Sequence, residues 1–185
     1  WVVLNWQMQI IKRPAYNDEL TVYTWSTSVD KLFAERDFRI TDKNGDTIVI
    51  ATSRWIYIDI NRRRPVRITP KIMDRYESEP ENRVFTEKIT KTDIPDTDYI
   101  EIAYNILRRD VDYLGHMHNI SYLDVAYDVM PEEYFNGPQF NFVSIEYRKE
   151  LLKNDDVKTH FYKIDNGCII SLNTDKINSV ITLKY

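Results

Sequence analysis

Residues 99–133 read YIEIAYNILRRDVDYLGHMHNISYLDVAYDVMPEE. Tyr99–Leu107 alternates apolar and polar side chains, the period of a half-buried strand. Ile120–Tyr127 reads instead as a helix, with Asn119 or Ser121 as candidate caps and the Met130-Pro131-Glu132-Glu133 turn closing it. Between the two lies a short polar loop holding two of the three histidines. A strand, a loop and a helix in this order define the opening of a layered unit rather than a simple β-meander.

Downstream, Phe140–Leu152, Val157–Ile164, Cys168–Asn173 and Ile177–Tyr185 read as four strands, with Asp165-Asn166-Gly167 a turn between the second and third. One helix between a first strand and four more is the pattern of a hotdog domain, a sheet wrapped around a single helix. Upstream, the strands come without such a helix. Trp1–Arg13 alternates until Pro14 stops it, Leu20–Ser28 is β-rich, and Phe33–Thr41 and Thr47–Ile60 flank Lys43-Asn44-Gly45-Asp46. Asn-Gly is a strong hairpin signal because both residues tolerate positive φ. Ile68–Tyr76, with Pro70 near its start, reads as a short helix, and Glu77–Asp98 as a polar connecting excursion. The expectation is an α+β tandem (double) hotdog: residues 1–92 as a partial N-terminal repeat plus linker, and 93–185 as a C-terminal repeat. The chain opens at Trp1 in mid-strand, so a leading strand and helix are expected to be missing from the first repeat.

Composition agrees with a sheet-dominated protein. The 185 residues are 43% hydrophobic and 13% aromatic, with 13 Tyr, 7 Phe and 4 Trp but only 4 Gly. That excludes disordered, collagenous and disulfide-scaffold classes. The single Cys168 has no intrachain disulfide partner and no signal-peptide pattern opens the chain, so a cytoplasmic location is expected. No run of 18 apolar residues is present to span a membrane. The formal net charge is −4, with the first 92 residues net basic and the rest net acidic, a poor balance for general nucleic-acid binding. Arg62-Arg63-Arg64-Pro65-Val66-Arg67 is the densest basic run. By default it is a solvated turn; an acidic partner is the functional alternative.

Two stretches carry candidate chemistry. Asp110 to Tyr122 packs two carboxylates, His116, His118 and Asn119 against a helix start, where unpaired backbone N–H groups can stabilise an oxyanion. Histidine is suited to general-base work near neutral pH. The second stretch is Ile145–Leu151, where strand alternation puts Glu146, Arg148 and Glu150 on one face. A strand end at Glu150 can meet the His116 loop across the sheet, setting a carboxylate beside an imidazole. His116 and His118 at i, i+2, without a cysteine or an HExxH pattern, do not make a metal site, and no metal or cofactor is expected. His160, on an alternating strand, reads as a surface or interface residue. Neither a phosphate-binding glycine loop nor a serine nucleophile elbow occurs.

In order along the chain, Trp1-Val2-Val3-Leu4, Arg13-Pro14, Thr24-Trp25, Phe33–Phe38, Ala51–Trp55 and Arg62–Ile68 resemble the first hotdog repeat of bacterial-type acyl-acyl carrier protein (acyl-ACP) thioesterases. Asp112 to Tyr122 resembles that family's Asp-x-Asn-x-His-Val-Asn-Asn-x-x-Tyr segment, and Tyr147-Arg148-Lys149-Glu150 its Tyr-Arg-x-Glu segment. The resemblance implies Asp112 as supporting aspartate, His116 as catalytic histidine and Glu150 as catalytic glutamate. The family asparagine falls on Leu114, which has no polar side chain; His118 and Asn119 are the candidate substitutes. Leu151 stands where many plant relatives have cysteine, which favours a water activated by His116 and Glu150 over a thiol nucleophile. The resemblance further implies acyl-ACP as substrate, with Arg62, Arg63, Arg64 and Arg67 as candidate contacts for the carrier protein or its phosphopantetheine. Acyl-CoA hydrolysis by the same fold and non-catalytic acyl or lipid binding are the competing expectations, the latter motivated by Leu114. The sequence leaves homo-oligomerisation open.

Overall fold

A computed structural model describes all residues, Trp1–Tyr185. The chain divides into two compact units, Trp1–Thr90 and Lys91–Tyr185.

In the first unit, β1 (Val2–Ile10), β2 (Thr21–Asp30), β3 (Phe33–Thr41) and β4 (Thr47–Ile56) form an antiparallel sheet in the order β2-β3-β4-β1. The Asn44-Gly45 turn joins β3 to β4 as expected. There the Asp42 carboxylate accepts the N–H groups of Asn44 (2.9 Å) and Asp46 (3.2 Å), so the turn is held by its own side chain. The apolar run through Ile60 is interrupted after Ile56, and a small hairpin of β5 (Ile58–Asp59) and β6 (Arg64–Pro65) follows. This hairpin holds the arginine run in solvent: Arg62, Arg63, Arg64 and Arg67 are all exposed, and Asp59 accepts the Arg62 N–H at 2.9 Å. The expected short helix is α1 (Pro70–Met73), continued by a 3-10 turn over Asp74–Tyr76.

The polar excursion has little regular structure, yet it is not free of the sheet. Its Ser78 hydroxyl lies 2.8 Å from that of Ser26, the Trp25 indole donates to the Asn82 carbonyl (3.2 Å), and the Val84 N–H donates to the buried Asp37 (2.8 Å). Composition hid the last two of these bonds because the excursion contributes to them only backbone groups, which every sequence carries.

In the second unit, β7 (Ile100–Asn105), β8 (Phe142–Tyr147), β9 (Asp156–Ile164), β10 (Gly167–Asn173) and β11 (Ile177–Lys184) lie antiparallel in the order β8-β11-β10-β9-β7. The helix α2 (Ser121–Asp128) packs beside β11 and buries Tyr122, Val125 and Ala126. Val125 is wholly buried, which stabilises the unit by about 1.5–3 kcal/mol for that side chain alone. The strand β10 is buried at every residue. Its Ile169 forms a buried cluster with Tyr162 of β9 and Val180 of β11, and Ile94, Ile164 and Ile177 pack against that cluster.

Three expectations are corrected. The helix start is not capped by Asn119 or Ser121; Ile120 occupies that position and no side chain caps it. The Met130–Glu133 turn leads into a further short helix, α3 (Glu132–Phe135). The expected strand Phe140–Leu152 ends at Tyr147, and Arg148–Leu151 run as irregular chain. No helix is long and apolar enough to cross a membrane.

Candidate active site

His116 stands on a small hairpin whose shape follows from two residues, Asp112 and Gly115. The Asp112 N–H donates to the His116 carbonyl (2.8 Å) and the Gly115 N–H to the Asp112 carbonyl (3.1 Å), closing a three-residue loop. Such loops need a residue with positive φ at their last position, and Gly115 supplies φ +86°. The Asp112 carboxylate turns inward, and its Oδ1 accepts the N–H groups of Leu114 (2.8 Å) and His116 (3.1 Å). Asp112 therefore grips the main chain of the loop, and the contact reaches His116 through its backbone rather than its imidazole. Leu114 sits at the tip with 62% of its surface exposed.

Behind the loop the hairpin is tied to buried structure. Val111 bridges Met117, and the His118 N–H donates to the Asp110 carbonyl (2.7 Å). Asp110 is 3% exposed, and its Oδ2 accepts the Tyr104 hydroxyl (2.8 Å) and the Leu107 N–H (2.7 Å). Burial and the adjoining Asp110 carboxylate push the Tyr104 phenol above its ordinary pKa, so it stays a donor throughout the working range.

Glu150 arrives from the other side. The Met117 N–H donates to the Leu151 carbonyl (2.7 Å), and His116 bridges Leu152, so the segment after β8 pairs with the arm of the hairpin. Leu151 is fully buried and Glu150 beside it faces out. The result is a contact of 3.3 Å between His116 Nε2 and Glu150 Oε2, with the two side chains 34% and 55% exposed. An ion pair this open contributes at most about 1 kcal/mol to stability. Its interest is chemical: a carboxylate on one imidazole nitrogen, within reach of water.

The structure thus brings Asp112, His116 and Glu150 together. His118 and Asn119 lie past the hairpin with bonds of their own. His118 Nδ1 accepts the Ile120 N–H (3.4 Å), and the Asn119 carbonyl accepts the Tyr147 hydroxyl (2.9 Å), whose ring meets Tyr122 edge-on at 5.1 Å. Cys168 is fully buried on β10, and burial pushes its thiol up to about 12, out of reach as a nucleophile. One residue unmarked by any sequence motif bonds to the site: the Asn178 side-chain amide donates to the Glu150 carbonyl at 3.2 Å. No three His, Cys, Asp or Glu side chains gather as a metal centre. A cavity of about 280 Å³ beside Tyr134, Lys163 and Tyr185, and one of about 390 Å³ beside Thr27, Met73 and Glu77, are lined by neither His116 nor Glu150.

Antiparallel sheets with a helix against the second define a hotdog-fold protein, and the His116–Glu150 contact lies at the loop before that helix. Residues 1–76 match the family model for the acyl-ACP thioesterase N-terminal domain, and residues 94–184 that for the C-terminal domain. The chain belongs to the acyl-ACP thioesterase family. It is 28% identical over 168 residues to oleoyl-acyl carrier protein thioesterase 2 of Arabidopsis thaliana, covering 85% of this chain and 46% of that protein. With the palmitoyl-acyl carrier protein thioesterase of the same plant it is 27% identical over 156 residues, covering 81% and 38%. The chain spans about half the length of the first of these relatives, and less of the second. The crystal structure of an acyl-ACP thioesterase from Bacteroides thetaiotaomicron superposes with a TM-score of 0.85 at 20% identity, covering all of this chain and 75% of that one. The 12:0-ACP thioesterase from Umbellularia californica gives 0.79 at 18% identity, covering 100% and 74%; both likenesses establish the fold.

Proposed function

We propose that this chain hydrolyses acyl-ACP thioesters to a free fatty acid and the carrier thiol. The observation that carries this reading is the 3.3 Å contact between His116 Nε2 and Glu150 Oε2 on a hairpin gripped by Asp112. Glu150 and His116 together take a proton from water, and the water oxygen bonds to the thioester carbonyl carbon. Negative charge develops on the carbonyl oxygen, and a hydrogen-bond donor facing that oxygen stabilises it. The C–S bond then breaks, and the departing sulfur receives the proton held by the His–Glu pair. A thioester carbonyl is weakly resonance-stabilised, so the sequence needs no covalent acyl-enzyme.

Binding is assigned to separate surfaces. The exposed arginines 62, 63, 64 and 67 suit an acidic carrier or the phosphate of its phosphopantetheine. Leu114 favours a second reading, acyl binding without turnover, because a leucine at the hairpin tip supplies no hydrogen bond to substrate or water.

The test is release of fatty acid and thiol from a chain-length series of acyl-ACPs at neutral pH. Hydrolysis by the wild type that falls about 10²-fold or more in both His116→Ala and Glu150→Ala supports the reading, a loss of roughly 2.7 kcal/mol of transition-state stabilisation. Acyl-ACP bound without turnover supports the second reading, and equal rates on acyl-CoA would remove the carrier selectivity.

A further inference from the structure

The segment that carries Glu150 has no regular ladder to hold it. The β8–β11 pairing ends at Tyr147↔Ser179, and the sheet then meets an irregularity of its own. On its other side β11 pairs Ser179 with Leu172 and Ile177 with Asn173, so Asn178 is the extra residue of a β-bulge. A bulge frees one residue from the ladder and re-aims its side chain. Asn178 is fully buried, and its groups are used in both directions. Its backbone carbonyl accepts two consecutive N–H groups, Arg148 (2.8 Å) and Lys149 (3.0 Å). Its side-chain Nδ2 donates to the Glu150 carbonyl (3.2 Å). Its Oδ1 is anchored at the β10–β11 turn by the Thr174 N–H and hydroxyl, both at 2.9 Å.

We infer that Asn178 is a positioning residue for the hydrolytic centre: it takes the place of a partner strand along residues 148–150 and so sets the Glu150 carboxylate against His116. The inference rests on Glu150 and His116 acting as the water-activating pair. Asn178 itself touches neither substrate nor imidazole. Three consecutive residues of the Glu150 segment hang on this one asparagine, and the far side of Glu150 is fixed separately by the Met117–Leu151 bond. Removing the amide leaves the Met117–Leu151 bond and the two bonds to the Asn178 backbone carbonyl and releases only the Glu150 carbonyl, so the chain keeps its fold while the residue that bears the carboxylate loses its own tether. Misplacement of a catalytic group by about 1 Å is enough to lower turnover by up to about 10²-fold.

The test is steady-state kinetics on acyl-ACP with the whole chain as wild type, Asn178→Ala, Thr174→Val, Glu150→Gln and the Asn178→Ala/Glu150→Gln double variant. Asn178→Ala is expected to lower kcat by about tenfold or more with KM within about twofold. Thr174→Val, which loosens the anchor of the same amide, is expected to give a smaller fall of the same kind. In the Glu150→Gln background, Asn178→Ala is expected to add no further loss, because its effect passes through the Glu150 carboxylate. Equal losses in both backgrounds, or a change confined to KM, would mean a general structural role and overturn the inference. So would an Asn178→Ala enzyme with wild-type kcat, while the proposed function stood. If Asn178→Ala does not fold, an unchanged kcat in Thr174→Val overturns it. A folded wild type without hydrolysis fells the proposed function, and this inference with it.

Discussion

The second unit contains two histidine–glutamate contacts of nearly the same length, and they differ in everything around them. His160 Nε2 lies 3.1 Å from Glu101 Oε2, and His116 Nε2 lies 3.3 Å from Glu150 Oε2. Glu101 and His160 are directly opposite each other in the β7–β9 ladder. Their remaining groups are occupied: Glu101 also pairs with Lys158 (3.0 Å), His160 Nδ1 lies 3.3 Å from the Tyr162 hydroxyl, and Tyr99 stacks on the imidazole at 4.1 Å. His116 and Glu150 instead stand on irregular chain at the end of the strands, half open to solvent. An imidazole beside a carboxylate is therefore not a site in itself. What distinguishes the 116–150 pair is a backbone that departs from the ladder to present it.

The largest expected effect breaks this comparison directly. His116→Ala is expected to lose about 10²-fold or more in acyl-ACP hydrolysis, and His160→Gln to keep wild-type turnover. A His160 variant as impaired as the His116 variant would place the chemistry at the wrong pair.

Next comes the hairpin itself. Asp112→Ala leaves the Leu114 and His116 N–H groups without their acceptor, and kcat is expected to fall by about tenfold as His116 loses its fixed backbone. Asp112→Asn keeps an acceptor oxygen in the same place and is expected to retain most activity. Were Asn as damaging as Ala, the negative charge of Asp112, and not its grip on the loop, would be the important property.

A smaller effect belongs to Gly115. A Cβ built there meets no atom within 4 Å, so the penalty of Gly115→Ala is conformational alone. At φ +86° an L-residue is disfavoured by about 1–2 kcal/mol, which a denaturant midpoint resolves. A neutral substitution would show that the loop relaxes to another turn.

These variants also mark what could be read in advance. The His116 hairpin is built by residues within five positions of one another, so Asp112, Gly115 and His116 stand out together in the sequence. The Glu150 segment is the opposite case. Phe140–Leu152 has the composition of one long strand, and strict alternation would keep Glu150 on the face of Glu146 and Arg148. That expectation holds as far as Arg148, whose guanidinium bonds Glu146 at 2.8 Å and the Thr92 carbonyl at 2.6 Å. It fails beyond because the bend is imposed by Asn178, far along the chain and unremarkable by composition. Local turn chemistry is legible in a sequence; a bulge that redirects another strand is not. For the same reason the sequence reveals that β10 is apolar but not that Ile94, from the 91–98 segment, packs against the cluster around its Ile169.

The smallest expected effect lies at the structural pair. The Lys158 ammonium, and after it His160, hold the Glu101 carboxyl below its ordinary pKa. A depressed folded-state value means that the unfolded chain binds the proton more readily, so this pair stabilises the fold above the unfolded carboxylate pKa of about 4.3. The contribution disappears as pH falls through the lower, folded value. Glu101→Gln removes it at all pH values. Thermal melts of wild type and Glu101→Gln are thus expected to differ slightly near neutral pH and to converge in acid. Because the pair is solvent-exposed, added salt should shrink the neutral-pH difference further. A gap that widened toward acid would reverse the sign of the linkage and mean that Glu101 is better accommodated protonated, in which case the ladder contact at His160 would be a burden on the fold rather than a brace for the β7 edge.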